Sequence, residues 1–217
     1  NERFDRWHRC SLCEQEYHGV VDCALGWACW KTYVGRPESD WARMMAMGVL
    51  GNSLYAADHD VDALSVREAQ FSTMQRNGQP VHNLLKVQDN IADSYMIIGR
   101  FEEALRIKQD AHARCMKLYG REDARTVTEV SNLANVLNCL HRSEEAKSLL
   151  REAIPIARRV LGENDIVKFR MRWNYARALY LDTSATLLDL REAVTRLEET
   201  GRTARRVFGD AHPFLRG

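Results

Sequence analysis

The sequence lacks an excess of charge of either sign. Its 217 residues include 31 lysines and arginines and 30 aspartates and glutamates, which leaves a formal net charge of +1. Proteins that bind nucleic acid or anionic membranes usually concentrate positive charge on one surface. We therefore expect neither a nucleic acid nor a membrane among the partners of this chain.

The sequence also lacks long apolar runs. No stretch approaches the roughly 18 apolar residues of a membrane-spanning helix. The first ten residues, NERFDRWHRC, have neither an initiator Met nor the apolar core of a signal peptide. We therefore expect a fragment or processed product of an intracellular protein from a reducing compartment, the cytoplasm. The last residues, FGDAHPFLRG, stop where a further repeat of the kind described below would begin.

Catalytic motifs are the third absence. The sequence contains no glycine-rich phosphate loop, no nucleophile elbow and no His-Glu-x-x-His motif. The seven histidines are scattered along the chain. The acidic pairs at 102–103 and 144–145 are typical of a solvated first turn, where the helix dipole favours negative charge. We therefore predict that the protein is not an enzyme.

What the sequence does contain is an internal repeat. Gly78, Gly120 and Gly162 are spaced 42 residues apart. Twelve residues after each glycine stands an asparagine, at Asn90, Asn132 and Asn174. Such periodicity is typical of stacked units that are each too small to bury their apolar face alone. It predicts repeats at about 39–78, 79–120, 121–162 and 163–209; the first is the most diverged, and the last carries five extra residues.

Each repeat has the pattern of two antiparallel helices. In the second repeat, Val87, Ile91, Tyr95 and Ile98 recur at steps of three and four, and Gly99 follows as a terminator. A second apolar stripe of the same period then runs to residue 120. Small residues recur where two helix axes must approach closely, at Ala92, Ala104, Ala134, Ala146 and Ala176. The pattern predicts an all-α fold of antiparallel helix pairs.

The small–aromatic–small pattern resembles the tetratricopeptide repeat (TPR). The 42-residue spacing, with GRFEEAL at 99–105 and LGEND at 161–165, resembles the kinesin light chain type of that repeat. The resemblance covers about residues 39–209. It implies a right-handed α-solenoid, TPR-like in architecture, whose first helices line a concave groove that holds an extended peptide. It also implies a non-enzymatic scaffold or adaptor that binds a protein or peptide ligand.

The family's groove positions carry over to particular side chains of this chain. They are Lys86, Asn90, Asp93, Asn132, Asn135, Arg170, Asn174 and Arg177. A side-chain amide has both a donor and an acceptor, so it can pair with the backbone of any peptide. An arginine can then select acidic side chains or a carboxylate. Alternatively, the asparagines bridge neighbouring repeats or bond backbone groups, and the arginines form a solvated face.

Residues 1–36 form a cysteine-rich segment with a different character. A Cys-x-x-Cys knuckle lets two thiolates reach one tetrahedral ion, so the segment predicts a zinc site, the only cofactor we consider. Its candidate ligands are Cys10, Cys13, His18 and Cys23. In that case the segment would carry the specific function, and the repeats would act as a stalk. A redox role for the Cys-x-x-Cys pair is a further alternative.

The same segment also has a reading without a metal. Residues 20–33 form a broad apolar helical face, on which Cys23 and Cys29 are explained as core thiols. Trp27 and Trp30 would then cover the exposed end of the first repeat, as a cap does in repeat arrays. At the other end of the chain, we consider self-association near Phe208, Phe214 and Leu215.

Overall fold

The structure is a computed structural model that describes residues 2–209. This part of the chain is built from helices, and its one β-type pairing is an isolated antiparallel bridge between Arg9 and Glu16. The predicted all-α fold is confirmed. The helices are α1 (Glu2–Asp5), α2 (Gly19–Tyr33), α3 (Trp41–Ala56), α4 (Asp60–Arg76), α5 (Val81–Ile97), α6 (Phe101–Tyr119), α7 (Ala124–Cys139), α8 (Ser143–Val160), α9 (Ile166–Leu181) and α10 (Leu187–Phe208).

The chain divides into two compact units, Asn1–Ala104 and Leu105–Gly217. This division differs from the boundary at residue 36 that the sequence indicates. The physical reason is that α2 packs against α3, where Cys29 and Tyr33 are buried together with Ala42 and Ala46. Helix α2 of the cysteine-rich segment therefore shares a core with the helices of the first repeat.

Within the first unit, α2, α3, α4 and α5 pack each against the next in chain order. The contact between α2 and α3 is close at Gly26. A methyl group added there would lie 2.7 Å from the side-chain Cβ of Ser53. Only a residue without a side chain fits this crossing, because real Cβ contacts are essentially never so short.

Within the second unit, α7 packs on α8, α8 on α9, and α9 on both α7 and α10. Its core includes Leu150, Met171 and Leu179, each at most 1% exposed. The alanines that the repeat pattern places at close helix approaches are completely buried in both units, at Ala92, Ala104, Ala134, Ala146 and Ala176. A larger side chain at any of these positions would push helices apart.

One repeat position shows how the same turn accommodates two different residues. Gly99 ends the α5 turn at φ +77°, and His141, 42 residues later, ends the α7 turn at φ +56°. Both lie in the left-handed region, which glycine adopts freely but which costs a residue with a Cβ about 1–2 kcal/mol. The turn at His141 is therefore formed against the conformational preference of its own residue.

Two remaining features concern the ends and surface of the molecule. Phe208 packs edge-on against Phe169, with ring centroids 5.1 Å apart. Phe214 and Leu215, the other residues considered for self-association, lie outside the described residues. None of the helices in residues 2–209 combines the length and apolar character that a membrane crossing requires.

Candidate functional site

In the second unit, one side of α9 presents alternating basic and aromatic side chains. Arg170, Trp173, Arg177 and Tyr180 are spaced by three and four residues, so they share an arc of about 80° around the helix. Trp173 is 39% exposed and Tyr180 is 47% exposed. We call these four residues the α9 face. The sequence prediction missed Tyr180, although its spacing of seven residues from Trp173 could have revealed it.

Both arginines of the α9 face are held by neutral groups of α7. Arg170 donates from Nη2 to Oδ1 of Asn132 at 3.2 Å. Arg177 donates to Oδ1 of Asn135 at 3.3 Å and to Sγ of Cys139 at 3.7 Å. Neither guanidinium has a carboxylate partner within residues 2–209. An amide oxygen positions a cation without cancelling its charge, so two positive charges stand about 10 Å apart along the helix.

Asn174 is buried between α7 and α9 instead of lying on the α9 face. Its side chain is buried, and its Nδ2 donates to the backbone oxygen of Ser131 in α7 at 3.1 Å. The amide of Asn138 in turn donates to the backbone oxygen of Asn174 at 2.9 Å. These two bonds tie α7 to α9 from both sides. The placement corresponds to the bridging alternative for the repeated asparagines, whereas Asn132 and Asn135 are half-buried beside the α9 face.

The three candidates in the first unit all lie on α5. Lys86 and Asp93 are exposed, and Asn90 is half-buried. The backbone oxygen of Asn90 accepts a hydrogen bond at 2.8 Å from Arg67, whose guanidinium lies 4.5 Å from the ring of Tyr55.

Arg67 is only 4% exposed, and it also donates to Ser94 Oγ at 2.6 Å. Burial lowers the pKa of its guanidinium from the usual value. Sequence reasoning missed this residue. An arginine in a polar helical stretch is ordinarily expected on the solvent side.

The Cys-x-x-Cys segment forms a tight turn. The backbone N–H of Glu14 donates to the oxygen of Cys10 at 2.9 Å, and Glu14 itself has φ +57°. The Cys10 sulfur accepts hydrogen bonds from the backbone N–H groups of Cys13 and Leu12. These bonds favour the thiolate, and together with a bond to the Cys13 side chain they lower the pKa of Cys10 to about 7. The turn therefore holds the Cys10 thiol, with its lowered pKa, beside the Cys13 thiol.

The other two zinc candidates have different surroundings. Cys23 is half-buried on α2 against an apolar cluster that contains Leu50 and Leu54, as the core-thiol alternative expects. His18 is exposed at the residue before α2. In residues 2–209, no group of three or more His, Cys, Asp or Glu side chains is arranged to hold a metal ion. The structure thus brings Cys10 and Cys13 together but does not gather all four, and zinc binding stays a prediction.

Two further residues bear on the reading without a metal. Cys29 is completely buried, and burial raises the pKa of its thiol to about 11. This thiol behaves as a core residue. Of the two tryptophans proposed as a cap, Trp30 is half-buried and packs against two apolar clusters, one with Cys29 and Tyr33 and one with Leu50 and Leu54, while Trp27 is 44% exposed.

Comparison with known proteins bears on the repeats. The family model described as "Tetratricopeptide repeat" matches residues 130–166, from within α7 to the start of α9. Solved structures of kinesin light chain-like repeats match most of the chain. The chain has the fold of these TPR-like repeat structures. The resemblance inferred from the 42-residue spacing is confirmed.

Three of these structures illustrate the likeness. Two are of the putative kinesin light chain nearly identical TPR-like repeats of Podosopora anserina. One, a variant, has a TM-score of 0.68 and 18% identity over 85% of each chain. The other has a TM-score of 0.67 and 17% identity over 86% of this chain and 87% of that one. BtubC (BKLC) from P. vanneervenii has a TM-score of 0.64 and 14% identity over 88% of this chain and 72% of its own. A search of curated proteins found no match to the sequence.

Proposed function

We propose that the protein is a non-enzymatic scaffold and that the α9 face binds a peptide segment that carries acidic side chains. One observation carries this proposal. Arg170 and Arg177 point from one face of α9, and each is held by an amide oxygen instead of a carboxylate. An arginine that already forms an ion pair with a carboxylate of its own chain would contribute little to recognition, because that carboxylate occupies the guanidinium.

The chemistry of the face suits such a ligand. A guanidinium presents donors in a planar fork that matches a carboxylate with two parallel hydrogen bonds. Trp173 and Tyr180 offer aromatic surface between and beyond the arginines, and aromatic and arginine side chains dominate the energetics of protein interfaces. Asn132 and Asn135 would pair with the peptide backbone once an acidic side chain draws the arginines forward.

The fold supports the same class of function. Repeat arrays of this kind commonly present extended surfaces to protein or peptide partners. The first-unit candidates Lys86, Asn90 and Asp93 belong to the corresponding helix of an earlier repeat. We propose that they contribute a second, mixed-charge set of contacts to a partner.

The test is a selection from a displayed library of random peptides. The wild-type protein is expected to enrich sequences with aspartate or glutamate. R170Q/R177Q is expected to lose that enrichment, because glutamine keeps a polar side chain but removes the charge. R158Q/R191Q is the matched control, since it removes two exposed arginines elsewhere in the second unit. Equal enrichment of acidic peptides by R170Q/R177Q would refute the proposal.

A second function is favoured by the tight turn that holds Cys10 beside Cys13, because two adjacent thiols can reach one tetrahedral ion. The lowered pKa of Cys10 agrees with it, since a thiolate is the form that binds a metal. We propose that Cys10 and Cys13 hold a zinc ion, with His18 and Cys23 as the further candidate ligands. Metal analysis of the purified protein should find about one zinc per chain, lost in C10S and in C13S but kept in C29S. The variant C23A separates a ligand from a core thiol at that position. A wild-type protein without zinc would remove this candidate.

A further inference from the structure

A pocket in the second unit is lined mainly by basic and polar side chains. It has a volume of about 270 Å³ and lies between the start of α9 and the last turns of α10. Lys168 and Arg172 enter it from α9, Arg206 enters it from α10, and Asn164 lies on the preceding loop. We call it the basic pocket. Around α9, Lys168 and Arg172 lie roughly 160–200° from Arg170, so the basic pocket and the α9 face point in different directions.

The preceding repeat shows what ordinarily occupies these positions. Thr126 and Val130 stand 42 residues before Lys168 and Arg172, and both are buried. The fourth repeat, 163–209, therefore carries two cations where the third has a hydroxyl and an apolar side chain. Lys168 and Arg172 are themselves half-buried, so each cation has lost part of its hydration, and a bound anion would offset that cost.

The same comparison shows that an acidic partner has been lost. In the preceding repeat, Arg159 donates to Oε1 of Glu122 at 2.5 Å. Arg206 stands 47 residues after Arg159, a shift that includes the five extra residues of the last repeat. Asn164 stands 42 residues after Glu122. The arginine has thus been kept, while its carboxylate partner has become a neutral amide.

The cations of the basic pocket keep their hydrogen-bonding capacity. Lys168 donates from Nζ to the backbone oxygen of Gly162 at 3.1 Å, which uses one of its three N–H groups. Arg172 and Arg206 make no hydrogen bond or ion pair with the rest of residues 2–209. Glu163 is the single carboxylate among the described lining residues. Three cations thus face one acid around a space large enough for a small anion.

We infer that the basic pocket binds a phosphate monoester dianion. A phosphate offers three strong acceptor oxygens and a charge of about −2, which matches three converging cations better than a single carboxylate does. The two arginine forks supply parallel donors to its oxygens, Lys168 supplies a point charge, and the amide of Asn164 supplies a neutral donor. This site is separate from the peptide surface proposed above.

The first experiment titrates the protein with inorganic phosphate by calorimetry, at constant ionic strength maintained with chloride. We expect saturable binding of one phosphate per chain, weakened about tenfold or more in R172Q/R206Q, because each lost contact is a charge-assisted hydrogen bond. R158Q/R202Q removes two arginines outside the pocket and is expected to change the affinity less than about twofold. Far-ultraviolet circular dichroism confirms that each variant is folded.

A repeat-exchange variant provides a sharper test. N164E restores the acid found at Glu122, which should pair with Arg206 and also weaken phosphate binding about tenfold. Titration with a phosphoserine peptide and with its unphosphorylated form then separates a modified protein segment from free phosphate as the source of the ligand. Absence of binding below about 1 mM phosphate, or equal weakening in R158Q/R202Q, would overturn the inference.

Discussion

Replacement of the buried Asn174 by alanine should destabilise the second unit. The Nδ2 of Asn174 donates to the oxygen of Ser131, and both residues are at most 3% exposed. Loss of one buried partner costs about 1–3 kcal/mol, because the remaining group stays out of water. We expect a loss of about 2 kcal/mol in the free energy of unfolding, which corresponds to a fall of about 4–8 °C in Tm for a chain of this size.

Two other asparagines serve as controls in the same assay, urea unfolding followed by circular dichroism. Asn132→Ala removes a half-buried amide whose oxygen accepts a hydrogen bond from Arg170, so its cost should stay below about 0.5 kcal/mol. Asn138→Ala should cost less than Asn174→Ala. Asn138→Ala removes one hydrogen bond, which destabilises the fold. It also removes a buried Oδ1 that has no hydrogen-bond partner among the described residues, and loss of that unsatisfied group offsets part of the cost. If Asn174→Ala is as stable as the wild type, or Asn132→Ala loses more, the assignment of Asn174 to the α7–α9 bridge is refuted.

Three further predictions follow from local geometry. His141→Gly should raise the free energy of unfolding by about 1 kcal/mol, and Gly99→Ala should lower it by about as much, because both positions have positive φ. A lower urea midpoint for His141→Gly, or a higher one for Gly99→Ala, would contradict this. Alkylation of Cys10 by iodoacetamide should accelerate as the pH rises through about 7, where its thiolate forms, while the buried Cys29 stays unreactive over the same range; mass spectrometry of the labelled peptides measures both. Gly26→Ala should destabilise the first unit by about 1–3 kcal/mol, since the methyl would overlap Ser53, and an unchanged Tm would be inconsistent with the α2–α3 packing.

The regular part of the fold was predictable because helical periodicity and repeat spacing both follow from burial. Stripes at steps of three and four locate the apolar side of each helix, and the recurring alanines mark close crossings, as Ala92 and Ala134 illustrate with no exposed surface. The spacing also predicted the resemblance to TPR-like repeats. The cap alternative for residues 20–33 anticipated that this helix packs on the first repeat, but the repeat spacing did not indicate that the first compact unit ends at Ala104.

The direction of individual polar side chains was much harder to predict. An asparagine at a repeat position suits a groove and a helix bridge equally well, since an amide satisfies backbone groups of a ligand or of a neighbouring helix. The structure separates Asn174, which bonds Ser131, from Asn132, which holds Arg170. Arg67 gave no signal at all, because its burial depends on Ser94 and other groups of a different helix.

The basic pocket was partly predictable from the sequence. Alignment at 42 residues places Lys168 on Thr126 and Arg172 on Val130, which could have drawn attention. The same alignment places Asn164 on Glu122, but it does not indicate that Arg206 lines the same pocket as Asn164. The five-residue insertion shifts Arg206 out of the 42-residue register, so its relation to Arg159 requires the three-dimensional position of α10.

The most direct test of the account measures the dissociation constant of a selected acidic peptide by fluorescence anisotropy. If the α9 face binds the peptide, R170Q/R177Q should weaken the affinity about tenfold or more, while R158Q/R191Q should leave it within about twofold of the wild type. An affinity that is unchanged in R170Q/R177Q would contradict the central claim that these two amide-held arginines recognise the partner.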